Sequence, residues 1–179
     1  PSEFPQDPTL CYLNHAAIGP WPRRTAQLVA NFAQTNMTRG GADYPDWLNV
    51  ERRLRLRLAT LINAGSDADI ALTKNTSDGL SLIASGLEWQ PGDEVVGVRN
   101  DFISNQMVWQ ALASSGVCYT AVDALATDDP EGALIESLSP STRLLAMSTV
   151  NYATGYRFDL PRLAAVCRER KILLSVDAI

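Results

Sequence analysis

Four places in this 179-residue chain set polar or aromatic side chains directly after an apolar run. That is where an open α/β sheet presents groups to a ligand. The first is Asn75-Thr76-Ser77, lying between the run Ile70-Ala71-Leu72-Thr73 and a segment with Leu80, Ile83, Ala84 and Leu87 at helical spacing. These three residues stand where a helix is capped, with Asp78 and Gly79 in its first turn. A helix opening there directs free N–H groups and a partial positive charge outward, and two hydroxyls beside them suit a phosphate dianion. The other places are Asp101-Phe102 after the run 94–98, Asn151 after the run 142–149, and Asp177 after the run 172–176. A phosphate cradle, an aromatic, an amide and a carboxylate on four strand ends describe a site for a flat, phosphorylated, nitrogen-containing ring. Singly, each has a plainer reading: Asn-Thr-Ser caps a helix, Phe fills a core, Asn closes its own turn and Asp caps. Their conjunction on one sheet edge carries the functional reading.

Positioning these groups takes strands alternating with helices. Residues 1–9 read as an irregular arm, followed by a short apolar run at Leu10–Leu13 and a turn over Asn14–Pro20. Pro20 and Pro22 lead into a helix with Ala26, Val29, Ala30 and Ala33 on one face, broken by Arg39-Gly40-Gly41. A second helix is expected from about Pro45 to Asn63, with Trp47, Val50, Leu54, Leu58 and Leu61 as its core stripe. Arg52, Arg53, Arg55 and Arg57 form its solvated face. From Ile70 the pattern predicts a strand at 70–73, a helix to Leu87, a strand at 94–98 and a helix from Ser104 to Ser115. There follow a strand at 117–122, a helix from Asp129 to Leu138, a strand at 142–149, a helix from Leu160 to Arg170 and a strand at 172–176. Cys167 shares a stripe with Leu160, Leu163 and Ala164 and reads as core, not nucleophile. Near-continuous apolar strands such as Ile172-Leu173-Leu174 predict a mostly parallel sheet covered on both faces.

Composition narrows the class. At 46% hydrophobic and 20% charged the chain is ordinary globular material, and its net charge of −5 with no basic run argues against nucleic acid. No apolar stretch is long enough for a bilayer and no signal peptide opens the sequence, so a non-membrane, cytoplasmic setting is expected. Cys11, Cys118 and Cys167 are too scattered for a disulfide framework, and the lone His15 offers no metal cluster.

Ala68–Leu87, with Lys74-Asn75-Thr76-Ser77-Asp78-Gly79, resembles the phosphate-binding segment of class V aminotransferases, the pyridoxal phosphate enzymes that include cysteine desulfurases, kynureninases and isopenicillin N epimerases. Asp101-Phe102-Ile103-Ser104-Asn105 through Trp109, Val150–Gly155, Ser175–Ala178 and Tyr12–Ala17 resemble further segments of that family in the family's order. The resemblance implies the three-layer α-β-α large domain of fold-type-I enzymes, incomplete at the C-terminus. Residues 1–40 would form an arm and helix, and 41–179 the N-terminal part of the cofactor-binding domain. It implies pyridoxal 5′-phosphate held by Thr76 and Ser77 at its phosphate, Phe102 against the ring, Asn151 at the phenolic oxygen and Asp177 at the pyridine nitrogen. Asn14 and His15 would lie near an amino-acid substrate, and the full-length protein would be a homodimer. The implied activity is labilisation of an α-carbon bond, as in a lyase, epimerase or transaminase.

The departures also matter. The resemblance places the Schiff-base lysine beyond Asp177, whereas the only lysines here are Lys74 and Lys171, neither at a matching position. The 179 residues are therefore expected to lack catalysis themselves. Phe102 replaces the histidine of the desulfurases and offers no proton to exchange. A non-catalytic relative binding a phosphorylated ligand or a protein partner is the first rival. A Rossmann nucleotide domain is the second, disfavoured because no G-x-G-x-x-G follows a strand.

Overall fold

Successive strands in the second half of the chain are linked through helices, and the resulting sheet is wholly parallel. The computed structural model describes residues 3–179. The strands are β1 (Glu94–Val98), β2 (Cys118–Val122), β3 (Thr142–Ser148) and β4 (Leu173–Asp177), in the order β2-β1-β3-β4. The helices are α1 (Arg23–Arg39), α2 (Tyr44–Ile62), α3 (Thr76–Gly86), α4 (Ser104–Gln110), α5 (Pro130–Ser137) and α6 (Leu160–Arg170).

Side-chain alternation along the strands builds two cores. On one face Val95, Leu144 and Ala146 pack with Leu80 and Ala84 of α3 and Trp109 of α4. On the other, Val96, Val98, Leu145 and Met147 pack with Leu134 of α5 and with Leu163 and Cys167 of α6. The chain runs from β1 outward to β2, then back past β1 to β3. That reversal, with right-handed crossovers, is what puts α4 on one face and α5 and α6 on the other. Burial of Cys167 confirms its core role, and burial raises its thiol pKa. At the amino end Glu94 accepts from the hydroxyls of Thr120 (2.6 Å), Ser139 (2.7 Å) and Thr142 (2.7 Å). Partial burial works against this carboxylate, but the three hydroxyls outweigh it and hold its pKa below the ordinary value.

The chain divides into two units, Pro1–Leu72 and Thr73–Ile179, the second carrying the sheet. The first holds α1 and α2. Pro22 precedes α1, and Asn63 closes α2 in the left-handed conformation (φ 55°). Arg55 ties α2 to the following turn through the Asp67 carbonyl (2.9 Å). Both helices fall close to their expected bounds, but their expected stripes do not form a core. Val29, Val50, Leu54 and Leu61 are exposed, and among the unit's described residues only Ala59 and Ile70 are buried. Two helices with a single edge-to-face contact between Phe32 and Trp47 (5.2 Å) enclose too little to cover either stripe. Among the described residues no helix is long and apolar enough to cross a membrane.

One expected strand is missing. Ile70 is buried and extended (φ −108°, ψ 118°), yet Ile70–Thr73 pairs with no described strand. An extended run becomes a strand only when a neighbour takes its N–H and C=O groups. Of the three residues expected at the cap of the helix after it, Asn75 is the cap, and Thr76 and Ser77 already lie in the first turn. The helix expected to run to Ser115 tightens after Gln110 into a 3-10 turn, which Gly116 ends in the left-handed region (φ 78°).

Gly97 is needed where it stands. A Cβ there would lie 2.5 Å from the Tyr119 hydroxyl on β2. That hydroxyl is buried without a partner among the described residues, and burial first, then the charge of Asp101, pushes its pKa up to about 12. A raised pKa contributes stability that is complete below the ordinary value near 10 and is lost as pH rises through the folded value. Gly97→Ala is expected to cost about 1–3 kcal/mol, and adding Tyr119→Phe should recover part of that loss and remove the late phenol titration. Urea unfolding and alkaline absorbance titration measure both; an uncompensated loss would contradict the close approach.

Candidate functional site

β1 and β3 are neighbours whose following helices lie on opposite faces, which makes their carboxyl ends the switch point where α/β sheets bind ligands. One buried carboxylate spans it. Asp101, 4% exposed, follows β1 and accepts the backbone N–H (2.8 Å) and hydroxyl (2.6 Å) of Ser148, the last residue of β3. It also accepts from the Phe102 N–H (2.7 Å) and from Nδ2 of Asn105 (3.4 Å). Four donors converge on an acceptor-only group. Asn105, 2% exposed in the first turn of α4, lies also 3.0 Å from Ser148 Oγ and 3.4 Å from Asp177 Oδ2 through the same Nδ2, so its two hydrogens are shared among three acceptors.

The opening of α3 is half-finished in a useful way. Asn75 Oδ1 takes the Asp78 N–H (2.9 Å) and the Asn75 carbonyl takes that of Gly79 (3.1 Å). The N–H groups of Thr76 and Ser77 have no partner among the described residues, as the first turn of a helix leaves them. Ser77 Oγ lies 2.8 Å from Ser104 Oγ, which is buried at the start of α4 beside Asn105. The first turns of α3 and α4 thus meet through a hydroxyl pair.

Phe102 stands 46% exposed at this rim, edge-to-face with Tyr152 at 5.6 Å and 87°. Asn151 is only 1% exposed. Its Oδ1 accepts from the N–H groups of Ala153 (3.1 Å) and Thr154 (3.0 Å) and from Thr154 Oγ1 (3.1 Å), while Nδ2 donates to the Asn100 carbonyl (3.2 Å). Asn151 therefore closes its own turn and keeps one amide hydrogen without a described partner. That turn is pinned from α5, where buried Glu131 accepts from the Tyr156 hydroxyl (3.0 Å) and the Asp159 N–H (2.7 Å).

Ser77, Phe102, Asn151 and Asp177 are thus brought to one rim, joined by Ser77–Ser104, Asn105–Asp177 and Asn151–Asn100 contacts. Thr76 sits beside Ser77 in the same turn. Asn14 and His15 lie exposed in the first unit, on a turn tied by the Tyr12 hydroxyl to the carbonyls of Asn14 (3.0 Å) and Ile18 (2.6 Å), with the His15 ring edge-to-face on Tyr12. Lys74 directly precedes the α3 cap, whereas Lys171 closes α6 at the opposite, amino end of β4. Sequence reasoning gave no role to Ser104, Asn105, Glu131, Ser148 or Tyr152. The polar residues of the segment 104–105 at a helix opening were the available signal for the first two.

A parallel sheet with polar groups gathered at its switch point defines an α/β ligand-binding domain. The chain belongs to the class V aminotransferase family, whose profile matches residues 11–179. It is 31% identical to a probable cysteine desulfurase of Methanothermobacter thermautotrophicus over 173 residues, covering 93% of this chain and 43% of that protein. Among solved structures, it superposes on a C-DES mutant with glycine covalently linked to its pyridoxal phosphate cofactor (TM-score 0.87, 25% identity, 97% of this chain and 47% of that one). It also superposes on the cystine C-S lyase C-DES in complex with its product cysteine persulfide (TM-score 0.83, 25% identity, 96% and 47%). The chain thus spans less than half the length of these relatives. The fold is that of fold-type-I pyridoxal phosphate enzymes, and pyridoxal phosphate is the family's cofactor.

Asp101→Asn puts a donor where Ser148 or Phe102 already donates, and is expected to cost about 2–3 kcal/mol. Loss of the charge should also lower the pH at which Tyr119 titrates, since Asp101 is the second cause of its raised pKa. Urea unfolding and phenolate absorbance read the two effects; an unmoved Tyr119 titration would contradict the electrostatic contact.

Proposed function

We propose that this chain is the N-terminal part of a pyridoxal-phosphate-dependent enzyme acting at the α-carbon of an amino acid. The convergence of Ser77, Phe102, Asn151 and Asp177 on the rim over β1, β3 and β4 carries the proposal. The donor set suits the cofactor. Thr76 and Ser77 offer two hydroxyls and two unpaired N–H groups to a phosphate at the positive end of α3. Phe102 turns an open aromatic surface to the ring, and Tyr152 holds its orientation from the side. Asn151 has one amide N–H left for the phenolic oxygen. Asp101 has four donors of its own and is buried, so Asp177 is the carboxylate left to face the ring nitrogen and keep it protonated. Bound in this way, the cofactor supplies an electron sink that weakens bonds at the substrate α-carbon.

The relatives' names point to sulfur-containing amino acids, while Phe102, which exchanges no proton, points away from a desulfurase. A lyase meets both conditions. On the family resemblance alone, Asn14 and His15 are assigned to the amino-acid substrate. The open apolar side chains of α1 and α2 support a homodimer. A second reading is a non-catalytic relative that holds a phosphorylated ligand; a full-length protein without a lysine at the family's Schiff-base position would favour it.

Titration of the chain with pyridoxal phosphate, followed by cofactor absorbance, tests the site common to both readings. A saturable spectral change is expected, with Ser77→Ala and Asp177→Ala each weakening binding about tenfold, equivalent to about 1.4 kcal/mol. No perturbation, or an equal one with Asp177→Ala, would overturn the assignment.

A further inference from the structure

Asp177 ends β4, which among the described residues pairs with β3. Its backbone carbonyl accepts the Thr149 N–H (2.8 Å) and its Oδ1 the nearby Ile179 N–H (3.2 Å). The one bond that its side chain makes to a residue distant in sequence, among the described residues, is to Asn105 Nδ2. We propose that Asn105 is a positioning residue: its amide, anchored on the Ser148 hydroxyl and shared between the Asp101 and Asp177 carboxylates, fixes the Asp177 carboxylate for a ring nitrogen. This rests on the reading of the site given above.

The residue type suits that task. Asn105 is itself buried in the first turn of α4, and its Nδ2 reaches groups after β1, at the end of β3 and at the end of β4. A carboxylate at a strand end otherwise samples several rotamers, and a group that binds a ring nitrogen is effective only when oriented beforehand. An arginine or lysine at position 105 would orient Asp177 equally well but would neutralise it and compete for the ring nitrogen. A carboxylate there would repel both Asp101 and Asp177. An amide orients Asp177 and leaves its charge for the ligand. The four donors on Asp101 hold that second carboxylate in place without exposing it to the ligand.

The test compares pyridoxal phosphate with its deaza analogue, in which carbon replaces the ring nitrogen, on the full chain. Wild type, Asn105→Ala, Asp177→Asn and the double variant are titrated with each ligand. Wild type should favour pyridoxal phosphate, and Asn105→Ala should weaken it about tenfold, a change of about 1.4 kcal/mol, while leaving the analogue's affinity unchanged. In the Asp177→Asn background, Asn105→Ala should add nothing, since residues acting through one contact are not additive. If circular dichroism shows that Asn105→Ala does not fold, Asn105→Ser replaces it, keeping a polar group in the buried site while being too short to reach Asp177. Equal weakening of both ligands, or a full additional loss on Asp177→Asn, would reduce Asn105 to a structural role and overturn the proposal. An effect of Asp177→Asn with none from Asn105 would also overturn it and leave the site intact. Indifference of wild type to the ring nitrogen would remove the site reading and this inference together.

Discussion

A buried carboxylate joining the ends of β1 and β3 is the contact on which the rest of this structure leans. The two strands are neighbours in the sheet, but their following helices depart to opposite faces, so nothing in the main-chain ladder closes the gap above them. Asp101 closes it, taking both the N–H and the hydroxyl of Ser148. A buried carboxylate survives only when its lone pairs are met, and here donors come from the turn, from β3 and from α4. Because the donors belong to separate elements, satisfying the charge also sets their relative positions. Asn105 extends the network to Asp177, and its neighbour Ser104 extends it to Ser77.

On the proposed function, this arrangement suits the rim to a ligand of mixed chemistry. The open N–H groups at the start of α3 attract an anion, Phe102 presents an apolar face, and Asp177 presents a negative charge. These demands conflict if the groups are free to move, since Asp177 and a phosphate repel one another. Fixing the proposed phosphate cradle and the carboxylate to different elements of one rigid framework keeps both. The framework beneath is the apolar sheet, with Val95, Val96, Leu144 and Leu145 buried between the helical layers.

The sheet was largely legible in the sequence because its signals are local. β1 and α6 have the bounds that apolar runs and helical spacing imply, and the other strands and helices of that unit fall within a few residues. The placement of Thr76, Ser77, Phe102 and Asp177 after apolar runs was likewise legible; their roles toward a ligand are proposed. Contacts that join remote segments were not. Nothing in the local pattern around Asn105 indicates a partner 72 residues away, and Glu131 reads as a helix-opening acid until Tyr156 and Asp159 are found against it. The same limit explains the two misreadings within residues 1–73. An apolar run at 70–73 specifies an extended chain but not a neighbour to pair with. The stripes on α1 and α2 specify faces to be covered but not what covers them.

A crystal structure of the chain soaked with pyridoxal phosphate is the most direct measurement of the central claim, that separate strand ends grip one phosphorylated pyridine. The expected density puts the phosphate on the Thr76 and Ser77 N–H groups, the ring against Phe102 and its nitrogen within hydrogen-bonding distance of Asp177. Density for the cofactor elsewhere on the protein, or at this rim with its nitrogen turned away from Asp177, would contradict it.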